Sequence, residues 1–114
     1  MPRLRSAKKA ELAASASIFA ALGDETRLRL VSRLCDEGPM SIARLADGFA
    51  ISRQAITKHL RVMENAGLVS SEQSGRESVW QLEQKRLADA RRHLEAISEQ
   101  WDDTLGRLKT FVER

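Results

Sequence analysis

The stretch Ser-Arg-Gln-Ala-Ile-Thr-Lys-His-Leu-Arg-Val-Met-Glu-Asn-Ala-Gly, residues 52–67, has the pattern of one helix with two well-marked ends. Ser52 can accept a hydrogen bond from an unpaired amide of the first turn, and Gly67 supplies a left-handed stop. Ile56, Leu60 and Met63 recur at helical spacing and predict a buried face. The opposite face carries polar and cationic side chains: Arg53, Gln54, Thr57, Lys58 and Arg61.

This outer face suits the major groove of double-stranded DNA. Arginine can pair bidentately with guanine and glutamine with adenine, while threonine or lysine can hold a phosphate or a base edge. A solvated amphipathic helix with no ligand carries similar charges, so this stretch alone leaves both interpretations open. The predicted DNA-binding residues of the helix are Ser52, Arg53, Gln54, Thr57, Lys58 and Arg61.

The segment before Ser52 favours the DNA-binding interpretation. Ser41 is a candidate N-cap of a short helix, and residues 48–51 connect that helix to Ser52. Two short helices joined by a tight turn form a helix-turn-helix, here residues 41–67. Ile51 is expected to help Ile56 close the junction between the two helices.

Two scaffold helices are expected upstream. The first covers residues 10–22 and ends at Gly23, and the second follows Asp24 as N-cap and ends at Gly38. The predicted apolar stripes are Leu12, Ala16, Phe19 and Ala20 in the first helix and Leu28, Val31, Leu34 and Cys35 in the second. Cys35 is therefore expected to be a small buried core residue.

A strand-like pattern follows Gly67. Residues 68–73 and 77–82 are short strand candidates, separated by a turn that contains Gly75 and Arg76. A hairpin in this position is a wing, residues 68–82, and Arg76 at its tip is predicted to contact a flanking phosphate or the minor groove. A hairpin that only faces solvent is the alternative.

Residues 84–112 are predicted to form one long helix with an apolar stripe. Leu87, Leu94, Trp101 and Leu108 repeat every seven residues, as in helices that pack against another helix. A small domain cannot bury so long a stripe alone, so a homodimer with a two-fold interface is predicted. The predicted interface residues are Leu12, Phe19, Leu94, Ile97, Trp101, Leu105 and Leu108.

The composition fits one domain, residues 1–114, with an anionic partner. The chain has 19 Lys and Arg against 16 Asp and Glu, for a net charge of +3. The excess lies in residues 1–23 and 52–76, with +3 and +2, which suits nucleic acid. The basic tail of Arg3, Arg5, Lys8 and Lys9 either contacts DNA or stays solvated. With one cysteine and no membrane-spanning run or cleavable signal, the expected location is the cytoplasm.

Taken together, these segments resemble the ArsR/SmtB family of bacterial winged-helix repressors over nearly the whole chain. The stretches ALGDETRLRLV at residues 21–31 and SRQAITKHLRVMENAGLV at residues 52–69 are similar to two motifs of that family. The resemblance implies a mostly α fold with a small β-hairpin, a winged helix-turn-helix with N- and C-terminal dimerisation helices. It also implies a homodimeric repressor that binds an inverted-repeat operator until an inducer releases it.

The metal sites of that family are not matched. Its thiolate site needs a Cys-x-Cys pair, and residues 40–49 contain no cysteine. Its site on the C-terminal helix needs two histidines, and this helix offers Asp89 and only His93. The ending, with Trp101 and Phe111, resembles a branch that generally lacks metal sites. No metal or cofactor is predicted, and the candidate effector is a small organic molecule or a partner protein acting near Trp101.

The sequence also bears on other function classes. No phosphate loop, pocketed carboxylate pair or nucleophile with a base can be assembled, so an enzyme is not predicted. The alternative is a winged-helix protein–protein interaction module without sequence-specific DNA binding.

The histidines and tryptophans have separate expected roles. His59 is expected to pack or hydrogen-bond near the inner face of its helix, and His93 is expected to lie on the surface. Trp80 is expected to anchor the core and Trp101 the interface.

Overall fold

Short helices and strands surround the candidate recognition helix, and the chain ends in a long helix. The computed structural model describes the backbone of residues 2–113 and the side chains of residues 9–113. The side chains of Arg3, Arg5 and Lys8, from the predicted basic tail, lie outside the described residues. The elements are α1 (Pro2–Leu22), α2 (Glu25–Glu37), β1 (Met40–Ser41), α3 (Ile42–Ala46), α4 (Arg53–Asn65), β2 (Val69–Ser74), β3 (Glu77–Leu82) and α5 (Gln84–Glu113).

Both ends of α4 have the predicted geometry. The Ser52 hydroxyl accepts a hydrogen bond from the Ala55 amide at 3.1 Å, which satisfies a donor of the first turn. Gly67 has a φ of 79°, and the amides of Gly67 and Leu68 donate to the carbonyls of Glu64 and Met63, both at 2.9 Å. These two bonds form a Schellman motif, which ends the helix where the glycine predicted.

The inner face of α4 lies at the centre of the core. Ile56, Leu60 and Met63 are fully buried, as predicted. They belong to one apolar cluster with Leu45 of α3 and Trp80 of β3. Other members of the cluster are Ile18, Ala21, Leu30, Val31, Leu34, Met40, Leu68, Val69 and Ala90. Because α3 and β3 both pack against the buried face of α4, they determine which side of α4 faces outward.

The sheet has a third strand beyond the predicted hairpin. β2 and β3 pair antiparallel, and the two-residue β1 adds to the other edge of β3 with Met40 opposite Trp80. Gly75 has a φ of 62° and takes the first position of the two-residue hairpin turn, where a type II′ turn requires glycine. Arg76 therefore lies at the tip of the wing, as predicted.

The buried face of α2 differs from the predicted stripe. Leu30, Val31 and Leu34 are buried, whereas Leu28 and Cys35 are exposed. The prediction that Cys35 is a core residue is therefore wrong. The buried face of α2 is rotated about the helix axis relative to the predicted stripe. Both Leu28 and Leu30 lie at helical spacing from Val31 and Leu34, but only Leu30 belongs to the core cluster with residues of α1 and α4.

The buried face of α1 also differs from prediction, and the helix begins at Pro2 rather than at residue 10. Its buried residues are Ser15, Ile18 and Ala21. The predicted stripe of Leu12, Ala16, Phe19 and Ala20 is exposed. Small side chains allow neighbouring helices to approach closely, so Ser15 and Ala21 lie at the contact. Ile51 is also exposed and leaves the helix-turn-helix junction to Ile56.

Among the described side chains, residues 9–113, only the beginning of α5 packs against the rest of the chain. Ala90 is buried and Leu87 is half-buried, while every residue from 94 to 113 is exposed. Trp101 is 62% exposed. In the described part of the chain, no helix is long and apolar enough to cross a lipid bilayer.

We expect opposite effects on stability from alanine at two glycines. Gly67→Ala should destabilise the fold by about 1–2 kcal/mol, because a non-glycine residue is strained in the left-handed conformation. The new Cβ would also lie 3.3 Å from Arg86 Cγ. Gly106→Ala, in open space on helix α5, should stabilise by about 0.5–1 kcal/mol. Urea unfolding followed by circular dichroism measures both, and a change of the same sign in the two variants would contradict the assignment.

Candidate nucleic-acid interface

The outward face of α4 carries the side chains predicted to read DNA. Arg53, Gln54 and Lys58 are exposed on it, and Thr57 is half-buried. The Thr57 hydroxyl donates to the Arg53 carbonyl at 2.9 Å, which leaves its oxygen able to accept a further bond. Among the described side chains, Arg53 and Lys58 take part in no ion pair, so both cations are available to an anionic ligand.

A groove between α4 and the wing brings together residues that are far apart in sequence. It has a volume of about 340 Å³ and is lined by Arg53, Thr57 and Arg61 of α4 and by Arg76 of the wing. The rest of the wall is formed by Ser41, Ile42, Ala43, Ser78 and Trp80, with Glu77 as its one acidic member. Three guanidinium groups on one groove make a surface suited to a polyanion.

Arg61 differs from the other cations because the protein already holds it. Its guanidinium lies over the Trp80 ring, 5.4 Å from the centroid, and its Nη1 is 2.9 Å from Glu64 Oε1. The Arg61 side chain remains 59% exposed. It therefore keeps an open side toward solvent while its orientation is fixed by α4 and β3 together. Ser52, in turn, has its hydroxyl occupied as the N-cap of α4.

Arginines of α2 hold the helix-turn-helix in place and were not recognised from the sequence. Arg33 donates to the Leu45 carbonyl at the end of α3 at 3.2 Å, and also to the Asp47 carbonyl. Arg29 lies over the Phe49 ring, 4.6 Å from its centroid. Carbonyls at a helix end lack helical partners, so Arg33 acts as a cap for α3. In the sequence, the feature that could have indicated this role is the presence of three arginines on the short helix that precedes the helix-turn-helix.

Two carboxylates on α2 are stabilised in their charged form. A hydrogen bond from the Arg27 amide at 3.0 Å lowers the pKa of Asp24 below its usual range and marks it as the N-cap of α2. The side-chain hydrogen bond from Arg33 lowers the pKa of Glu37. Because both pKa values are lowered by folding, the stability they add is present above the ordinary carboxyl pKa and is lost as the pH falls.

The histidines, the cysteine and the aromatic anchors occupy separate places. His59 lies 3.4 Å from Arg27 Nη1, in agreement with the predicted hydrogen-bonding role. His93 is half-buried rather than on the surface, because its Nδ1 lies 2.5 Å from the Oγ of buried Ser15. Trp80 is a core residue, as predicted. Within residues 9–113, no three His, Cys, Asp or Glu side chains cluster in a way that could hold a metal ion.

All seven predicted interface residues are exposed on the chain: Leu12, Phe19, Leu94, Ile97, Trp101, Leu105 and Leu108. Near the start of this stripe, an apolar groove of about 450 Å³ lies between α1 and α5, where Phe19 and Leu94 face Leu87. The groove and the stripe form a large apolar surface of the kind that marks interaction sites. Their assignment to a dimer stays a prediction.

In comparisons with known proteins, a helix-turn-helix domain model matches residues 22–72, and the chain is similar to several regulators, including the following three. The HTH-type transcriptional regulator Rv2034 of Mycobacterium tuberculosis is 39% identical over 75 residues, 66% of this chain and 69% of that protein. The solved ArsR-like transcriptional regulator from Rhodococcus sp. RHA1 is 39% identical, with a TM-score of 0.74 over 88% of this chain and 93% of its own. A structure described as a possible transcriptional regulator for arsenical resistance is 35% identical, with a TM-score of 0.66 over 82% and 93%.

Proposed function

Because the chain belongs to the ArsR family of winged helix-turn-helix transcriptional regulators, we propose that it is a homodimeric repressor that binds an inverted-repeat DNA operator. The observation that carries the proposal is the shared groove of α4 and the wing. There, the outward face of the recognition helix meets Arg76. A dimer that occupies an operator represses by excluding other proteins from the same DNA. The location that follows is the bacterial cytoplasm.

The residues of α4 divide by position and by existing contacts. Arg53 and Gln54, in the first turn, are exposed and unpaired among the described side chains, so they are the candidates for base contacts. Lys58 and Thr57, one turn later, are candidates for phosphate contacts. Arg61, oriented by Trp80 and Glu64, is suited to a phosphate. Ser52 acts mainly through the N-terminus of the helix that it caps.

The homodimer is supported by the unpaired apolar surface of α1 and α5. Leaving a large apolar side chain in water forgoes about 1.5–3 kcal/mol, and the stripe from Leu94 to Val112 contains seven of them. A second copy offers the same stripe, so a two-fold axis satisfies both at once. In a dimer of helix-turn-helix units, half-sites about one helical turn apart then place the two copies of α4 in successive major grooves.

We expect base preference to depend on Arg53 and overall affinity on Lys58. Arg53→Ala should change the bases selected from random duplexes, because a bidentate base contact is lost. Lys58→Ala should weaken all sequences alike and reduce the slope of log affinity against log salt by about one. Lys109→Ala, an exposed cation at the far end of α5, controls for net charge. A wild-type selection without an enriched motif would favour the alternative of a protein–protein interaction module.

Dimerisation is expected to depend on the stripe of α5. Trp101→Ala should raise the dimer dissociation constant at least tenfold, since burying a large apolar side chain contributes about 1.5–3 kcal/mol. Operator affinity should fall with it. Glu99→Ala, exposed on another face of the same helix, is the control. Sedimentation equilibrium measures both variants, and a Trp101→Ala dimer as tight as the wild type would place the interface elsewhere.

Metal ions are expected to leave operator binding unchanged. Zinc, cadmium and arsenite should alter the affinity by less than about threefold, because a ligand without preference for one state cannot shift the equilibrium. The chain has a single cysteine, and a thiolate site for a soft metal needs at least two. Fluorescence anisotropy of labelled operator tests wild type and Cys35→Ser in parallel. Metal-driven release that disappears in Cys35→Ser would refute this expectation.

A further inference from the structure

The side chain of Arg27 joins the end of α1 to the middle of the recognition helix. Its Nε donates to the Ala21 carbonyl in the last turn of α1 at 2.5 Å. Its Nη1 lies 3.4 Å from His59 Nδ1 on α4. Asp24 accepts from the Arg27 amide and also lies 3.8 Å from His59 Nδ1. One guanidinium therefore touches two helices that are separated in sequence by α2, β1 and α3.

This contact differs in kind from the apolar packing around it. Ile18 and Ala21 of α1 share the core with Leu60 of α4, but hydrophobic burial is non-directional and tolerates small rotations of one helix against another. A guanidinium is a planar fork whose donors have fixed directions. The Ala21 carbonyl belongs to a helix end without helical partners, so the Arg27 bond also satisfies a group that would otherwise lack one.

We propose that Arg27 is a positioning residue that fixes the angle between α1 and α4, and thereby the distance between the two recognition helices of the dimer. The inference rests on the proposed function, because α1 carries Leu12 and Phe19 of the proposed interface. In the proposed dimer, α1 is held against the partner and Arg27 holds α4 against α1. The Arg27 contacts, named here the Arg27 bridge, therefore set the spacing of the half-sites. Arg27 thus determines which operator spacing is accepted, and Arg53 determines which bases are.

The test compares one half-site with two. Duplexes carrying a single half-site, and a series carrying two half-sites at increasing separation, are titrated with the wild type and with Arg27→Lys. Lysine keeps the charge, but its three N–H donors all lie on one terminal nitrogen, so it cannot reproduce the two separate contacts that Arg27 makes through Nε and Nη1. Half-site affinity should stay within about twofold, whereas affinity for the best-spaced double site should fall about tenfold and the preference for one spacing should broaden.

A matched variant separates this role from a general weakening of the fold. Arg29→Gln removes a guanidinium of the same helix whose contact is the Phe49 ring, within the helix-turn-helix. Any loss that it causes should apply equally to single and double sites. If Arg27→Lys also lowers both by the same factor, or leaves the spacing preference of the wild type intact, the positioning role is refuted.

A second measurement needs no DNA and so stays decisive if the dimer forms but the proposed DNA binding fails. Spin labels are attached through Gln54→Cys in a Cys35→Ser background, and the distance between the two labels of the dimer is measured by pulsed electron resonance. The wild-type bridge should give a narrow distribution, and Arg27→Lys should give a broader one. A wild type that binds no paired half-sites overturns the proposed function, whereas equal distributions in the two proteins overturn the positioning role.

Discussion

Burial of one face of α4 is the constraint on which the rest of the structure depends. Ile56, Leu60 and Met63 are fully enclosed, and truncation of such a residue typically costs about 2–5 kcal/mol. Once these three positions are inside, the 3.6-residue period leaves Gln54 and Lys58 on the opposite side. The proposed DNA-facing surface is therefore a consequence of core packing, and a residue proposed to contact bases can change without loss of the fold that presents it.

Polar contacts at helix ends supply the precision that apolar packing lacks. Each helix end leaves backbone groups without helical partners. Here, side chains of α2 and of its N-cap residue supply hydrogen-bond partners for several of these groups. Arg27 serves the end of α1, Arg33 serves the end of α3, and Asp24 caps α2 itself. These arginines contribute to the net charge of +3 but are committed within the protein. By contrast, Arg53 and Lys58 of α4 and Arg76 at the wing tip are exposed and take part in no ion pair among the described side chains.

Local signals predicted the recognition helix and the wing well, since a cap such as Ser52 or a left-handed Gly67 acts through its immediate neighbours. The third strand was missed because two residues, Met40 and Ser41, are too few to show a strand period. The buried faces of α1 and α2 were misassigned for another reason. Periodicity identifies a stripe of apolar residues but not what covers it, and α2 carries two such stripes, of which Leu30 lies inside and Leu28 outside.

The same ambiguity has a physical meaning in α1, which presents two faces to two different surroundings. Leu12 and Phe19 are exposed, while Ser15 and Ala21 contact other helices through hydrogen bonds to His93 and Arg27. His93 of α5 contacts Ser15 of α1, and His59 of α4 contacts Arg27, whose side chain also binds the end of α1. The two histidines of the chain therefore connect α1 to α5 and to α4. If operator binding depends on the position of α1, as proposed, a ligand that prefers one position of α1 changes operator affinity, and by linkage the operator changes the affinity for that ligand. Such coupling requires no metal site on α5, because α1 is the rigid element that contacts both α5 and, through Arg27, α4.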